Sequence, residues 1–300
     1  MFLRSAFRGL AAVAVVACAD RAPSHAPASI TLVDDAGDTV RLAKAAQRVI
    51  SLVPSATETM IAIGATTRIV GRTRFDAATE IANLPSVGGS VDPSIESIVA
   101  LHPDLVIGWG TQIREIVRAH LASINVPVFE IRVQDTSDVF RAIGNLGKLV
   151  ARDSAATVLA SSIRATLDSV RTAVANVPAR DVMFVIYPDP AMTAGPHTFI
   201  DELVGVAGGR SVFHDLPDQW PTVSMEEIVR RRPELLIVSQ TDSANALQQF
   251  RSRPGWRDLA AVRAGNVATV SANLTQRPGP RIGEAARVLQ LAIHPETRPR

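Results

Sequence analysis

The sequence predicts an α/β protein: two Rossmann-like lobes with mostly parallel sheets, joined by one long interlobe helix. Three observations predict it. Short apolar runs alternate with helix-period segments through most of the chain. A segment of the first half is repeated, in modified form, in the second. Between the two copies lies a long stretch with neither Pro nor Gly. The chain has 300 residues, 47% of them hydrophobic, enough to bury a substantial core.

The repeat is the most informative feature. Residues 94–107 read SIESIVALHPDLVI and residues 224–237 read SMEEIVRRRPELLI, with identity at Ser, Glu, Ile, Val, Pro, Leu and Ile. Each copy predicts a short Ser-capped helix, a turn ending at Pro and a buried strand. The order of neighbouring elements repeats too. RVISLV followed by PSATETMIAIGA (48–65) is echoed by DVMFVIY (181–187) and TFIDELVGVAGG (198–209). VPVFEI (126–131) is echoed by NVATVSA (266–272). Strand and helix alternate in each half, the pattern of a parallel sheet covered on both faces.

From the N-terminus, the first 20 residues read MFLRSAFRGLAAVAVVACAD. Arg4 and Arg8 precede an uncharged run from Gly9 to Ala17, and Cys18 follows. This predicts a signal peptide over residues 1–18, too short in its apolar part to span a bilayer. Val15-Val16-Ala17-Cys18 resembles a bacterial lipobox, which implies lipidation at Cys18. Cys18 is the only cysteine, so the mature chain is expected to hold no internal disulfide. Residues 19–46 are expected to form an Ala/Pro/Ser-rich tether and leader strands. The globular part is then placed in the periplasm or cell envelope, lipid-anchored to a membrane.

The N-terminal lobe is expected over 47–150. Its strand 48–53 meets a helix that stops at Gly64. Ser55 is the predicted N-cap, with Glu58 at capping-box spacing and Pro54 stiffening the turn. The segment 153–177 predicts a helix of about 37 Å, ended by Pro178. Its apolar residues Val158, Leu159, Ile163, Leu167, Val170 and Val174 fall near helical spacing. It is read as a strut within an interlobe segment 151–178, and the C-terminal lobe as 179–300.

Charge and motif content exclude several functions. The net charge is +2 and no basic run occurs, so no nucleic-acid surface is predicted. The six His are scattered, and only His197 and His214 sit in loops that could reach a cleft, which argues against a bare-metal site. An extracytoplasmic enzyme is the rival class. No G-x-S-x-G elbow or complete phosphate loop is present, and AGG at 207–209 ends a helix rather than opening one. No catalytic residue and no cofactor is predicted.

The ordered set ITLVDDAGDTVRLAKAAQRVISLVPSATE, DPSIESIVALHPDLVIGW, WPTVSMEEIVRRRPELLIVS and RPGPRIGEAARVLQLAI resembles the class III periplasmic binding proteins of ABC importers over about residues 30–293. Within these it is most similar to the cobalamin binders. The resemblance implies a ligand cleft between the lobes, with Pro54, Ser55 and Ala56 on the first-lobe wall. It further implies that Trp220 and Arg277 match a cleft tryptophan and arginine, and that Trp109 and Phe75 lie at the rim. Glu96 and Glu226, equivalent in the repeat, would face arginines of a permease dimer. Cobalamin or a related corrinoid is the implied transported ligand, carried by a monomer. Arg72 and Arg74 near Phe75 would also suit an anionic ligand, so a ferric siderophore or haem stands as the alternative.

Overall fold

The computed structural model describes residues 29–110, 115–239 and 245–298. Cys18, the signal peptide and the tether as far as residue 28 lie outside the described residues. The described chain opens with an antiparallel hairpin, β1 (Ile30–Val33) and β2 (Thr39–Leu42). Its turn is fastened to the first lobe: Asp34 Oδ2 accepts the Glu130 N–H at 3.0 Å, and Asp35 Oδ2 that of Arg132 at 2.7 Å.

The first lobe holds β3 (Val49–Ser51), α1 (Pro54–Ala62), β4 (Ile69–Gly71), α2 (Ile95–Ala100), β5 (Leu105–Trp109), α3 (Glu115–Ser123), β6 (Val128–Ile131) and α4 (Thr136–Leu149). Its sheet is parallel throughout, in spatial order β4-β3-β5-β6. After α5 (Asp153–Val174) the second lobe begins with β7 (Arg180–Pro188), β8 (Ala191–Thr193), α6 (Phe199–Val206) and β9 (Gly209–Ser211). It continues with α7 (Met225–Arg231), β10 (Leu235–Ser239), α8 (Ala246–Ser252), α9 (Ala260–Arg263), β11 (Val267–Val270), α10 (Ala272–Thr275) and α11 (Ile282–Ile293). Here β9, β7, β10 and β11 lie parallel side by side, and β8 adds antiparallel to β7. The two sheets therefore share one topology, as the repeat predicts. Strands LVIGW and LLIVS read as unbroken apolar runs because each sheet is covered on both faces.

The repeat extends to individual hydrogen bonds. Ser94 caps α2 by accepting from Ser97 N–H, and Ser224 caps α7 by accepting from Glu227 N–H, both at 3.1 Å. His102 (φ 45) and Arg232 (φ 50) make the same left-handed turn before a Pro. Asp104 accepts the Arg48 N–H at 2.9 Å, and Glu234 accepts the Asp181 N–H at 3.3 Å. The conserved-charge position in the repeat thus ties each turn to the start of its lobe's first strand.

Helix α5 has 22 residues and ends at Val174 rather than at 177. It buries Ala156, Ala160, Ile163, Leu167, Val170 and Val174, a strict three-four spacing. Val158 falls on the opposite side and is 69% exposed, so it is no part of the predicted apolar stripe. One continuous apolar cluster runs from Val49 and Ile107 through Ile163 and Leu167 to Val182, Ile237 and Leu289. The lobes share a core, and α5 covers it with one face, packing on α4 of the first lobe and α11 of the second.

The capping box at 55–58 does not form. Helix α1 begins at Pro54, its N-cap is Val53, and no side chain caps it. Proline's fixed φ and missing N–H suit the first helical position, which places Ser55 inside the helix. Glu58 is thereby free to point elsewhere. Gly64 (φ +72) does end the segment, and the Ala65 N–H donates to the Met60 carbonyl at 2.8 Å.

Candidate functional site

A cavity of about 360 Å³ lies between the lobes, at the carboxyl ends of β5, β6 and β7. That is where open parallel sheets expose backbone groups and side chains to a ligand. Trp109, the last residue of β5, lines it from the first lobe and Trp220 from the second. Phe199 and Ile200, at the start of α6, and Ile186 of β7 add apolar surface. Gln134, Gln219 and Gln276 bring three amides, and Arg132 is the only charged residue lining the cavity among the described residues.

The local chain holds these groups in place. Trp220 is 43% exposed on a loop fastened from both sides: the Gly195 N–H donates to the Gln219 carbonyl at 2.8 Å and the Thr193 N–H to the Pro221 carbonyl at 3.1 Å. Gly195 is required there, because a Cβ would stand 2.1 Å from the Asp218 carbonyl oxygen. Across the lobes, the Phe199 N–H donates to the Gln134 carbonyl at 2.7 Å, and Gln134 Nε2 to Gln219 Oε1 at 3.2 Å. Thr136 donates its backbone N–H and its hydroxyl to Glu202, at 2.9 and 2.5 Å. The cavity is thus closed at one side by hydrogen bonds between lobes.

The structure brings Trp109 and Trp220 together, and it sorts the other predicted residues differently. Ser55 and Ala56 are buried in a tight seam against Pro278 and Gly279, with Pro54 beside them at the start of α1. A Cβ on Gly279 would lie 2.9 Å from that of Ser55, so the lobes touch there through backbone. Arg277 faces a separate groove on the other side of the segment 276–281, lined also by Glu58, Glu80, Leu159 and Arg281. Its guanidinium donates to Glu58 at 3.0 Å and to the Phe75 carbonyl at 3.1 Å. Phe75 is 47% exposed beneath Arg74, whose own charge is engaged by Asp92 at 3.1 Å. Glu96 and Glu226 are exposed on the first turns of α2 and α7, in equivalent positions of the two lobes.

Arg132, Gln134, Gln219 and Gln276 had no signal in the sequence. They belong to connecting segments, outside any motif, and only the convergence of strand ends gathers them. A larger cavity, about 660 Å³, lies in the second lobe away from both tryptophans. Its arginines pair with acids, Arg210 with Asp181 at 2.6 Å and Arg231 with Asp215 and Glu227, and His214 Nδ1 hydrogen-bonds Asp201 at 2.7 Å. Burial raises the Asp201 carboxyl above its usual range, opposed by its hydrogen bond to His214. His214 is therefore directed to Asp201 and not to the interlobe cavity. Among the described residues no three His, Cys, Asp or Glu side chains converge as metal donors, and no helix is long and apolar enough to cross a membrane.

Comparison with known proteins identifies the family and the fold. The sequence model of the periplasmic binding protein family matches residues 49–274. An uncharacterized ABC transporter substrate-binding lipoprotein, YvrC of Bacillus subtilis, is 26% identical over 96% of this chain and 95% of its own. A cobalamin-binding protein of Halobacterium salinarum is 29% identical over 93% of this chain and 77% of its own. Two solved structures share the fold. The periplasmic vitamin B12 binding protein BtuF of Vibrio cholerae has a TM-score of 0.70 at 23% identity, covering 85% of this chain and 99% of that one. A periplasmic haem-binding protein from Pseudomonas aeruginosa has a TM-score of 0.74 at 23% identity, covering 85% and 95%.

Proposed function

This chain belongs to the periplasmic binding protein family, and from that premise we propose that it captures cobalamin or a related corrinoid in the interlobe cavity and delivers it to an ABC importer. The observation that carries the reading is the cavity lining: two tryptophans from different lobes, with three glutamine amides. A corrin is a broad, mostly apolar ring with amide arms. Aromatic side chains cover such a ring, and glutamine amides both donate to and accept from the arms. The cobalamin-binding relative supports the same ligand class.

The work is capture, docking and release, without covalent chemistry. Because α5 and the shared core tie the lobes together, closure on binding is small. Glu96 and Glu226, one per lobe, are the proposed docking carboxylates for a permease dimer, and Arg–carboxylate pairs would set orientation and association rate. Lipidation at Cys18 would hold the monomer at the envelope membrane. Haem or a ferric siderophore is the second reading, since the cationic Arg132 at the cavity also suits their oxyanions.

Isothermal titration with cyanocobalamin tests the proposal. A one-to-one isotherm at micromolar or tighter affinity, lost in Trp220→Ala, is expected. No heat at any reachable concentration would remove cobalamin and leave haem and siderophores to be titrated next.

A further inference from the structure

We propose that Arg132 sets the charge preference of the interlobe cavity: it receives one oxyanion, a carboxylate or a phosphate-type group, on a ligand whose flat apolar body lies against Trp109 and Trp220. The inference rests on the reading of that cavity as the ligand site, and it adds what the ligand must carry.

Four other arginines are committed. Arg277 is held by Glu58 and the Phe75 carbonyl. Arg74 is held by Asp92, Arg141 by Asp35 and Asp138, and Arg118 by Asp38 and Glu130. Arg132 differs. Its guanidinium makes no hydrogen bond or ion pair among the described residues, and its side chain lines the cavity. Its backbone, by contrast, is fixed at both ends. The N–H donates to Asp35 at 2.7 Å and the carbonyl accepts from Arg141 at 3.3 Å.

The head group rests beside the turn that carries Trp109. A Cβ built on Gly110 would lie 3.4 Å from the Arg132 Nε and 3.7 Å from an Nη. A planar cation is therefore set beside the residue that follows Trp109, in the lining of the same cavity. The acids nearest in the chain make no direct contact with its guanidinium. Asp35 already accepts from the Arg132 backbone and from Arg141. Glu130 is buried against Arg118. An unpaired guanidinium in such a place favours a two-oxygen acceptor over a neutral amide, because its donors form a fork that matches carboxylate and phosphate. The phosphodiester of a cobalamin and the carboxylates of haem both meet the requirement, so the preference separates ligands within the proposed class rather than choosing the class.

The test uses three probes with one flat body: 1-naphthoate, 1-naphthyl phosphate and neutral 1-naphthamide. Each is titrated calorimetrically into the full-length protein, into Arg132→Gln and into Trp220→Ala. The expected result is that at least one anion binds the parent protein about fivefold or more tighter than the amide. That preference disappears in Arg132→Gln, while Trp220→Ala weakens all three probes. The anion that gains more identifies the oxyanion, carboxylate or phosphate. Equal binding of anion and amide overturns the inference. So does a preference that survives Arg132→Gln, binding indifferent to Trp220→Ala, or no binding of any probe. Arg132 is exposed, so an unchanged melting temperature in Arg132→Gln is expected and checks that the fold is intact. If cyanocobalamin fails to bind while the Arg132-dependent preference holds, the corrinoid reading falls and this inference stands.

Discussion

Arg277 in the second lobe and Glu58 in the first form an ion pair at 3.0 Å, each side chain only 22% exposed, across 219 positions of sequence. The same guanidinium reaches the Phe75 carbonyl at 3.1 Å. One side chain therefore ties the second lobe to two segments of the first, beside the seam where Gly279 meets Ser55.

Removing that tie is expected to loosen the lobes. A surface pair contributes well under 1 kcal/mol and a broken buried pair about 3 kcal/mol or more. This half-buried pair lies between them, so Glu58→Gln is expected to cost about 1–2 kcal/mol in chemical denaturation. A stability equal to the parent's would show that the pair does not hold the lobes.

Helix α5 supplies a larger effect. An interior proline at Ala165 removes a helical hydrogen bond and is expected to cost about 3 kcal/mol or more. Leu167→Ala, in the buried stripe, is expected to cost about 2–5 kcal/mol. Because the core is continuous through α5, each variant should still melt in one transition, at a lower temperature. Val158→Lys, on the exposed side, should leave the melt unchanged; a large drop there would contradict the orientation of the helix.

Glu130 makes stability depend on pH. Its side chain is fully buried under the leader hairpin, and burial pushes its carboxyl up from 4.5 to about 7, against the pull of Arg118. The folded state therefore holds the proton more tightly than the unfolded state. Its stabilising contribution is complete below about 4.5 and is lost as pH rises through about 7. Denaturation at pH 5 and pH 8 should differ by about 1–3 kcal/mol from this group. In Glu130→Gln that part of the difference should vanish. An identical pH slope in the variant would mean that Glu130 is not the titrating group.

The proposed docking carboxylates can be separated from the cavity. Charge reversal at both, Glu96→Lys with Glu226→Lys, should leave ligand affinity within about twofold while weakening association with the permease tenfold or more. Both residues are exposed, and neither lines the cavity. Unchanged association would remove them from the interface.

Much of this protein could be read from local chemistry. Ser94 and Ser224 announced helix starts, the Pro after His102 and after Arg232 announced turns, and the apolar runs behind them announced strands. Each of these signals acts over a few residues, so the repeat carried them intact into the structure. Where two local signals competed, at Pro54 and Ser55, proline's fixed φ prevailed over the capping hydroxyl and Glu58 went to Arg277 instead. Among the site residues, Trp109 was legible because it ends a recognisable strand.

Periodicity and capping within each half were enough to specify the two-lobed α/β architecture, the interlobe helix and the paired positions of Glu96 and Glu226. Which side chains share the cavity depends instead on long-range packing. Arg132, Gln134, Gln219 and Gln276 lie on separate connections, and no local rule relates them. Their meeting depends on how the strand ends of two sheets face each other, which is set by the packing of both lobes on α5. The same packing sent Arg277 to Glu58 and left Arg132 as the cation at the cavity.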